Sequence, residues 1–164
     1  LAVGSNEGIQ SSITYMSIYL MMNLAFFSCI FMLRRNNEYY EEIDDLSGLS
    51  KNHPILSISL LISLFSLAGI PPLAGFFAKF YIFMAVIEEQ MYALAIIGLL
   101  STVIAAFYYL RLIKTIYFDK ELEKYDTNHN IGLRVSLFIS TIIILLYFIY
   151  PSSLITIISN IKVI

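Results

Sequence analysis

Ser66-Leu67-Ala68-Gly69-Ile70-Pro71-Pro72-Leu73-Ala74-Gly75-Phe76-Phe77-Ala78-Lys79-Phe80 decides the fold, because it interrupts an apolar run that extends from Pro54 to Ile87. That run is 34 residues long and contains a single charge, Lys79. About 20 helical residues cover a hydrocarbon core about 30 Å thick, so the run exceeds what one straight crossing needs. Pro71 and Pro72 lack backbone donors and clash with the turn before them. Gly69 and Gly75 supply permissive backbone on either side. The stretch predicts a membrane helix broken at Gly69–Pro72, near the middle of its apolar length. Irregular backbone at membrane depth persists only where protein or a water-filled cavity covers it, and such broken helices occur in transporters.

Working outward, three more uncharged apolar runs flank the broken one: Ile13 to Leu33, Met91 to Leu110, and Val135 to Tyr150 with a weak continuation past Pro151 to Ile161. The runs are solid rather than alternating, which excludes a β-barrel. The expected fold is all-α and integral to the membrane, a single domain over 1–164 with four transmembrane helices. Their expected bounds are about 12–34, 54–88 (broken), 91–118 and 133–150, with a short tail to 161. Composition agrees: 59% of the 164 residues are apolar and 13% are charged, against about 45–50% and about 25% in soluble domains. Disorder is excluded by the same imbalance.

Orientation follows from the basic residues. The segment after the first run carries Arg34, Arg35 and Lys51, and the segment after the third carries Arg111, Lys114, Lys120, Lys124 and Arg134. The opposite side has Lys162, and the turn Glu88-Glu89-Gln90 has no base. The two basic loops are therefore expected on the cytoplasmic or matrix side, and both chain ends on the other. Glu38, Glu41, Glu42, Asp44 and Asp45 read as a solvated connector rather than a metal site. Pro54 reads as the first residue of a helix, with His53 as its entry residue, and His129 as a loop residue. Tyr15, Tyr19, Tyr108, Tyr109, Tyr117, Tyr147 and Tyr150 lie near the ends of the runs, and an aromatic belt at the headgroup level explains most of them. Ala74/Ala78 and Ser101/Ala105 have the small-xxx-small spacing of close helix contacts.

A net charge of −2 gives no footprint for nucleic acid. Cys29 has no partner for a disulfide and no ligand spacing with His53 or His129. No Gly-rich phosphate loop and no cysteine cluster occurs, so no redox cofactor is expected on this chain. The first residues lack a secretory signal. The chain opens on Leu1 and the polar stretch Gly4-Ser5-Asn6-Glu7-Gly8, which suggests the C-terminal piece of something longer.

Lys79 is the expensive residue. A lysine at the centre of a bilayer costs about 2.5–3.5 kcal/mol on insertion scales and is usually functional there. It could load and release a proton. A straight helix from Pro54 would instead reach the far surface near Ala74 and let Lys79 snorkel out. Composition and spacing leave both readings standing.

The stretch from Ser66 to Tyr81 closely resembles the broken-helix segment of the antiporter-like subunits of respiratory complex I. Asp45-Leu46-Ser47-Gly48-Leu49, Ala106-Phe107-Tyr108-Tyr109-Leu110-Arg111 and Tyr117-Phe118-Asp119 are similar to the subunit N branch of that family, called subunit 2 in mitochondria. The likeness runs from about Glu7 to Asp119 and weakens from Lys120 onward.

The resemblance implies the C-terminal four helices of an antiporter-like fold, with Lys79 at the position of the family's proton-transferring lysine and Pro71 and Pro72 breaking its helix. It implies proton translocation coupled to quinone reduction, with NADH, FMN, iron–sulfur clusters and quinone handled by other subunits. Implied partners are neighbouring membrane-arm subunits and the lipid bilayer. The implied location is a bacterial inner membrane or a mitochondrial inner membrane. Ser63, Ser66, Ser101, Thr102 and Tyr108 are candidates to line a water path. A subunit of a multisubunit sodium/proton antiporter, or a four-helix scaffold without transport, are the competing readings.

Overall fold

In a computed structural model of the chain, the structure describes residues 4–35, 38–39, 42–120, 130–147 and 149. His129, Tyr150, Pro151, Lys124, Lys162 and the expected tail to 161 lie outside the described residues.

The first helix, α1, is Asn6–Met32, beginning well before the expected start near 12. The polar opening is its cap: Ser5 has extended backbone and its hydroxyl accepts the Gly8 N–H at 3.2 Å. Glu7 in the first turn suits the positive end of the helix dipole. The connector that follows is not simply solvated. It forms a two-residue antiparallel pair, β1 (Arg34–Arg35) with β2 (Glu38–Tyr39), then a 3-10 turn at Ile43–Leu46 and a short helix α2, Leu49–Asn52. Leu46 and Leu49 are buried, and the Gly48 N–H donates to the Thr115 carbonyl at 3.1 Å. Gly48 sits at φ 65, a left-handed conformation that glycine adopts without penalty. Apolar side chains thus fold the connector back onto the body, which acidic composition concealed. Asp45 accepts the Glu42 backbone N–H at 3.1 Å, a local cap rather than a metal ligand.

The broken run gives α3, Pro54–Ala68, and α4, Ala74–Glu88, separated by 69–73. Pro54 occupies the first helical turn after His53, and the Pro71-Pro72 peptide is cis. Helix α5 is Tyr92–Phe118 and α6 is Ile131–Leu146, the latter capped by Asn130, whose side chain accepts the Gly132 N–H at 3.0 Å.

α1 lies against α3, α4 and α6, and α5 lies against α3 and α4. The Ser28 hydroxyl donates to the Ser136 hydroxyl at 3.0 Å, which fixes α1 to α6 near the end carrying the basic loops. The seam between helices is lined by small or polar residues: Ala25, Cys29, Ser57, Ser63, Ser66 and Ser140 are fully buried. Large apolar residues fill the rest of the core, among them Met22, Leu60, Leu64, Ile116 and Ile144, and others face outward in stripes such as Met16, Leu20, Leu24, Phe27 and Phe31 on α1 and Ile96, Leu100, Val103, Ile104 and Phe107 on α5. Each such side chain is worth about 1.5–3 kcal/mol when removed from water. Small residues between helices allow close backbone approach, as in helices packed in lipid. Helices α1 and α5 are each long and apolar enough to cross a membrane, while α3 and α6 are shorter apolar helices.

Candidate functional site at the helix break

An α-helix leaves its last four carbonyls without intrahelical partners. In α3 these belong to Phe65, Ser66, Leu67 and Ala68. Gly69, at φ 85, turns the chain so that its N–H reaches the Phe65 and Ser66 carbonyls at 3.1 and 3.0 Å. The Ile70 N–H also donates to the Phe65 carbonyl at 3.0 Å. That is the familiar left-handed C-terminal closure, with Pro71 and Pro72 just beyond it. The two carbonyls left over are taken by Lys79: its Nζ donates to Leu67 at 3.0 Å and to Ala68 at 3.2 Å. All four orphan carbonyls are thereby satisfied, two of them by the side chain of the opposite half-helix. A cation at this end also meets the negative pole of the α3 dipole.

The start of α4 is tied to the same place. The Ser66 hydroxyl accepts the Gly75 N–H at 3.0 Å and donates to the Met22 sulfur at 2.9 Å. Ser66 therefore caps α4 from within α3 and anchors both halves to α1. A Cβ on Gly75 would overlap the Ser66 carbonyl, so this junction admits glycine alone. At Gly69 a Cβ would come within 3.1 Å of Lys79 Cδ and 3.3 Å of Nζ.

Lys79 opens on a cavity of about 170 Å³ lined by Tyr15, Tyr19, Met22, Leu67, Ser101, Thr102, Ala105 and Tyr109. Tyr19 is the midpoint of α1 and Ala105 the midpoint of α5, two helices of 27 residues each. At 1.5 Å per residue, either midpoint is about 20 Å from its helix ends. The amine thus points back to mid-helix rather than out towards a surface. The snorkelling reading assumed a continuous helix from Pro54, and the helix is interrupted at 69–73. Lys79 is only partly buried within the described residues, not enclosed as expected. Pro71 and Pro72 are exposed, so this part of the break is not covered here.

Of the expected water-path residues, Ser101 and Thr102 reach the Lys79 cavity, while Ser63, Ser66 and Tyr108 do not line it. Ser101 and Thr102 donate to their own helix at the Gly98 and Leu99 carbonyls, both at 2.7 Å, leaving their lone pairs to the cavity. Ser63 donates to Ser59 at 2.6 Å. Several tyrosines face inward. Tyr15, Tyr19 and Tyr109 line the cavity, and Tyr147 is buried with its ring 6.0 Å from that of Phe77. The i, i+4 spacing of Tyr15 and Tyr19, well inside α1, was the available signal for a shared inward face.

Among the described residues no cluster of three or more His, Cys, Asp and Glu converges. Cys29 is buried, with its sulfur 3.8 Å from the Leu56 carbonyl.

The family model described as NADH:quinone oxidoreductase/Mrp antiporter, TM, matches residues 1–105. A protein named NADH-quinone oxidoreductase subunit N from Pelagibacter ubique is 76% identical over all 164 residues, which cover 35% of that relative. One of the same name from Paramagnetospirillum magneticum is 44% identical over 156 residues, 95% of this chain and 32% of the relative. The chain thus spans about a third of the length of these relatives. Among solved structures, a chain of respiratory complex I from Thermus thermophilus superposes with a TM-score of 0.76 at 21% identity, covering 90% of this chain and 34% of that one. A chain of the Mrp complex from Dietzia sp. gives 0.81 at 20% identity, covering 97% and 38%. At such identities these two likenesses speak for the fold.

Proposed function

The chain belongs to the NADH:quinone oxidoreductase/Mrp antiporter membrane family, and from that premise we propose that it is the part of a proton-translocating membrane-arm subunit that carries one proton-transfer lysine. The observation that carries this reading is the placement of Lys79, whose amine bridges the break at 3.0 and 3.2 Å and faces a hydroxyl-lined cavity halfway along α1 and α5. The named relatives at 76% and 44% identity favour the NADH:quinone oxidoreductase branch over the sodium/proton antiporter branch.

In this reading the chain crosses the membrane four times, through α1, the α3–α4 pair, α5 and α6, with the basic loops on the cytoplasmic face. Lys79 Nζ gives its proton to an acceptor in the cavity and takes another back. Two carbonyls hold the nitrogen in place in both states, since an ammonium has three donors and a neutral amine still has two. A volume of about 170 Å³ admits a few waters at about 30 Å³ each, beside the hydroxyls of Tyr15, Tyr19, Tyr109, Ser101 and Thr102. NADH oxidation and quinone reduction, with FMN and iron–sulfur clusters, belong to other subunits. Neighbouring membrane-arm subunits and the further helices of a full-length relative would cover Pro71, Pro72 and the open side of Lys79. The site is a bacterial inner membrane.

Lys79→Met in the full complex tests this. The complex assembles and fewer protons move per NADH oxidised, whereas Lys79→Arg, which keeps a fixed charge and its donors, is also impaired because guanidinium does not deprotonate. An unchanged proton yield in Lys79→Met overturns the assignment.

A further inference from the structure

A cavity of about 890 Å³ lies away from Lys79, along the outer side of α6 where it meets the start of α3 and the end of α1. Its lining is graded. Arg134, Asn52 and His53 stand at one end, and Ile55, Leu56, Val135, Phe138, Ile142 and Leu145 carry it on as an apolar channel. Arg134 is exposed, and no carboxylate pairs with it among the described residues.

The apolar part is open too: Ile55 is 79% exposed and Phe138 67%. Val135, Phe138, Ile142 and Leu145 follow one stripe of α6. From Arg134 to Leu145 the helix rises about 16 Å, close to half of a hydrocarbon core about 30 Å thick. The groove therefore matches one leaflet in depth, and its charged end is the one that carries the basic loops.

We propose that this groove binds one anionic phospholipid of the leaflet facing the basic loops. Its phosphate sits against the Arg134 guanidinium with Asn52 and His53 beside it, and an acyl chain lies along Ile55, Phe138, Ile142 and Leu145. The charge complementarity selects the occupant: a guanidinium with no carboxylate partner among the described residues, standing above an apolar slot, suits a phosphate-bearing amphiphile. A protein helix would leave Arg134 needing a carboxylate in the same place. Basic pockets between membrane helices on the cytoplasmic side recognise anionic headgroups by this physics.

Photolabelling of the purified complex tests the proposal. Phosphatidylglycerol and phosphatidylethanolamine, each with a diazirine on one acyl chain, are crosslinked in parallel and the labelled peptides read by mass spectrometry. The anionic probe is expected to mark segments 52–59 and 134–145 preferentially. Excess unlabelled phosphatidylglycerol displaces it and excess unlabelled phosphatidylethanolamine does not. Arg134→Gln lowers the anionic label about fivefold, corresponding to about 1 kcal/mol for one basic group near the surface. Equal labelling by both probes with no headgroup preference in the competition makes the groove ordinary lipid contact and overturns the proposal. So does the absence of label from both segments, which means that protein covers it. The competition on the unaltered complex stands even if Arg134→Gln fails to assemble.

Discussion

At the scale of single residues, two glycines beside the break have different tasks, and substitution separates them. Gly75 brings α4 against the Ser66 carbonyl, where a methyl group has no space and the obstacle is backbone. Gly75→Ala is therefore expected to destabilise the complex by at least the about 1–3 kcal/mol typical of overpacking, read as a lower thermal midpoint. Ser66→Ala leaves the buried Gly75 N–H without its acceptor, and a lost partner of that kind costs about 1–3 kcal/mol. Gly69 is different. Its left-handed backbone costs a substituted residue about 1–2 kcal/mol, and its Cβ would press on the Lys79 side chain itself. Gly69→Ala is expected to lower proton yield per NADH more than it lowers the thermal midpoint, with Gly75→Ala showing the reverse order. A Gly69→Ala complex that pumps normally would show that the Leu67 and Ala68 carbonyls do not hold the working position of the amine.

At the scale of elements, the break leaves the Leu67 and Ala68 carbonyls to Lys79. Replacing Gly69, Pro71 and Pro72 together by alanine lets α3 continue, and main-chain N–H groups then take the carbonyls of Leu67 and Ala68. The expected outcome is slower amide hydrogen exchange at 69, 70 and 73 with proton yield reduced as severely as in Lys79→Met; unchanged exchange would mean that tertiary packing, not local sequence, keeps the helix open. The break itself was legible, since two prolines inside 34 apolar residues permit little else. Lys79 was legible as the one charge in that run. What it touches was not, because the choice between a surface and the two carbonyls depends on how far α4 folds back against α3. The cavity-lining role of Tyr15, Tyr19 and Tyr109 was hidden for a related reason. A tyrosine suits a headgroup belt or a polar cavity equally well, and only the rotation of α1 and α5 against α4 decides. The connector after α1 misled by composition, because Leu46 and Leu49 outweigh its acids once Gly48 turns the chain back onto Thr115.

Across the whole molecule, the helices place chemically different groups at opposite ends. Glu7 opens α1 and Glu88 closes α4, and they meet beside Gln10, Thr14 and Tyr81 in a cleft of about 230 Å³. The other end bears Arg34, Arg35, Lys51, Arg111, Lys114 and Arg134, about 40 Å away along the 27-residue helices α1 and α5. Four crossings require these ends to lie on opposite faces of the membrane. Cysteines at Glu89 and Lys51 test it in intact cells, because Cys29 is fully buried and adds no background. A membrane-impermeant maleimide is expected to label Glu89→Cys directly and Lys51→Cys only after permeabilisation. If both label from outside, the α3–α4 pair is a re-entrant loop rather than a crossing. Lys79 would then face one compartment only, and proton transfer across the membrane at this lysine would lose its geometry.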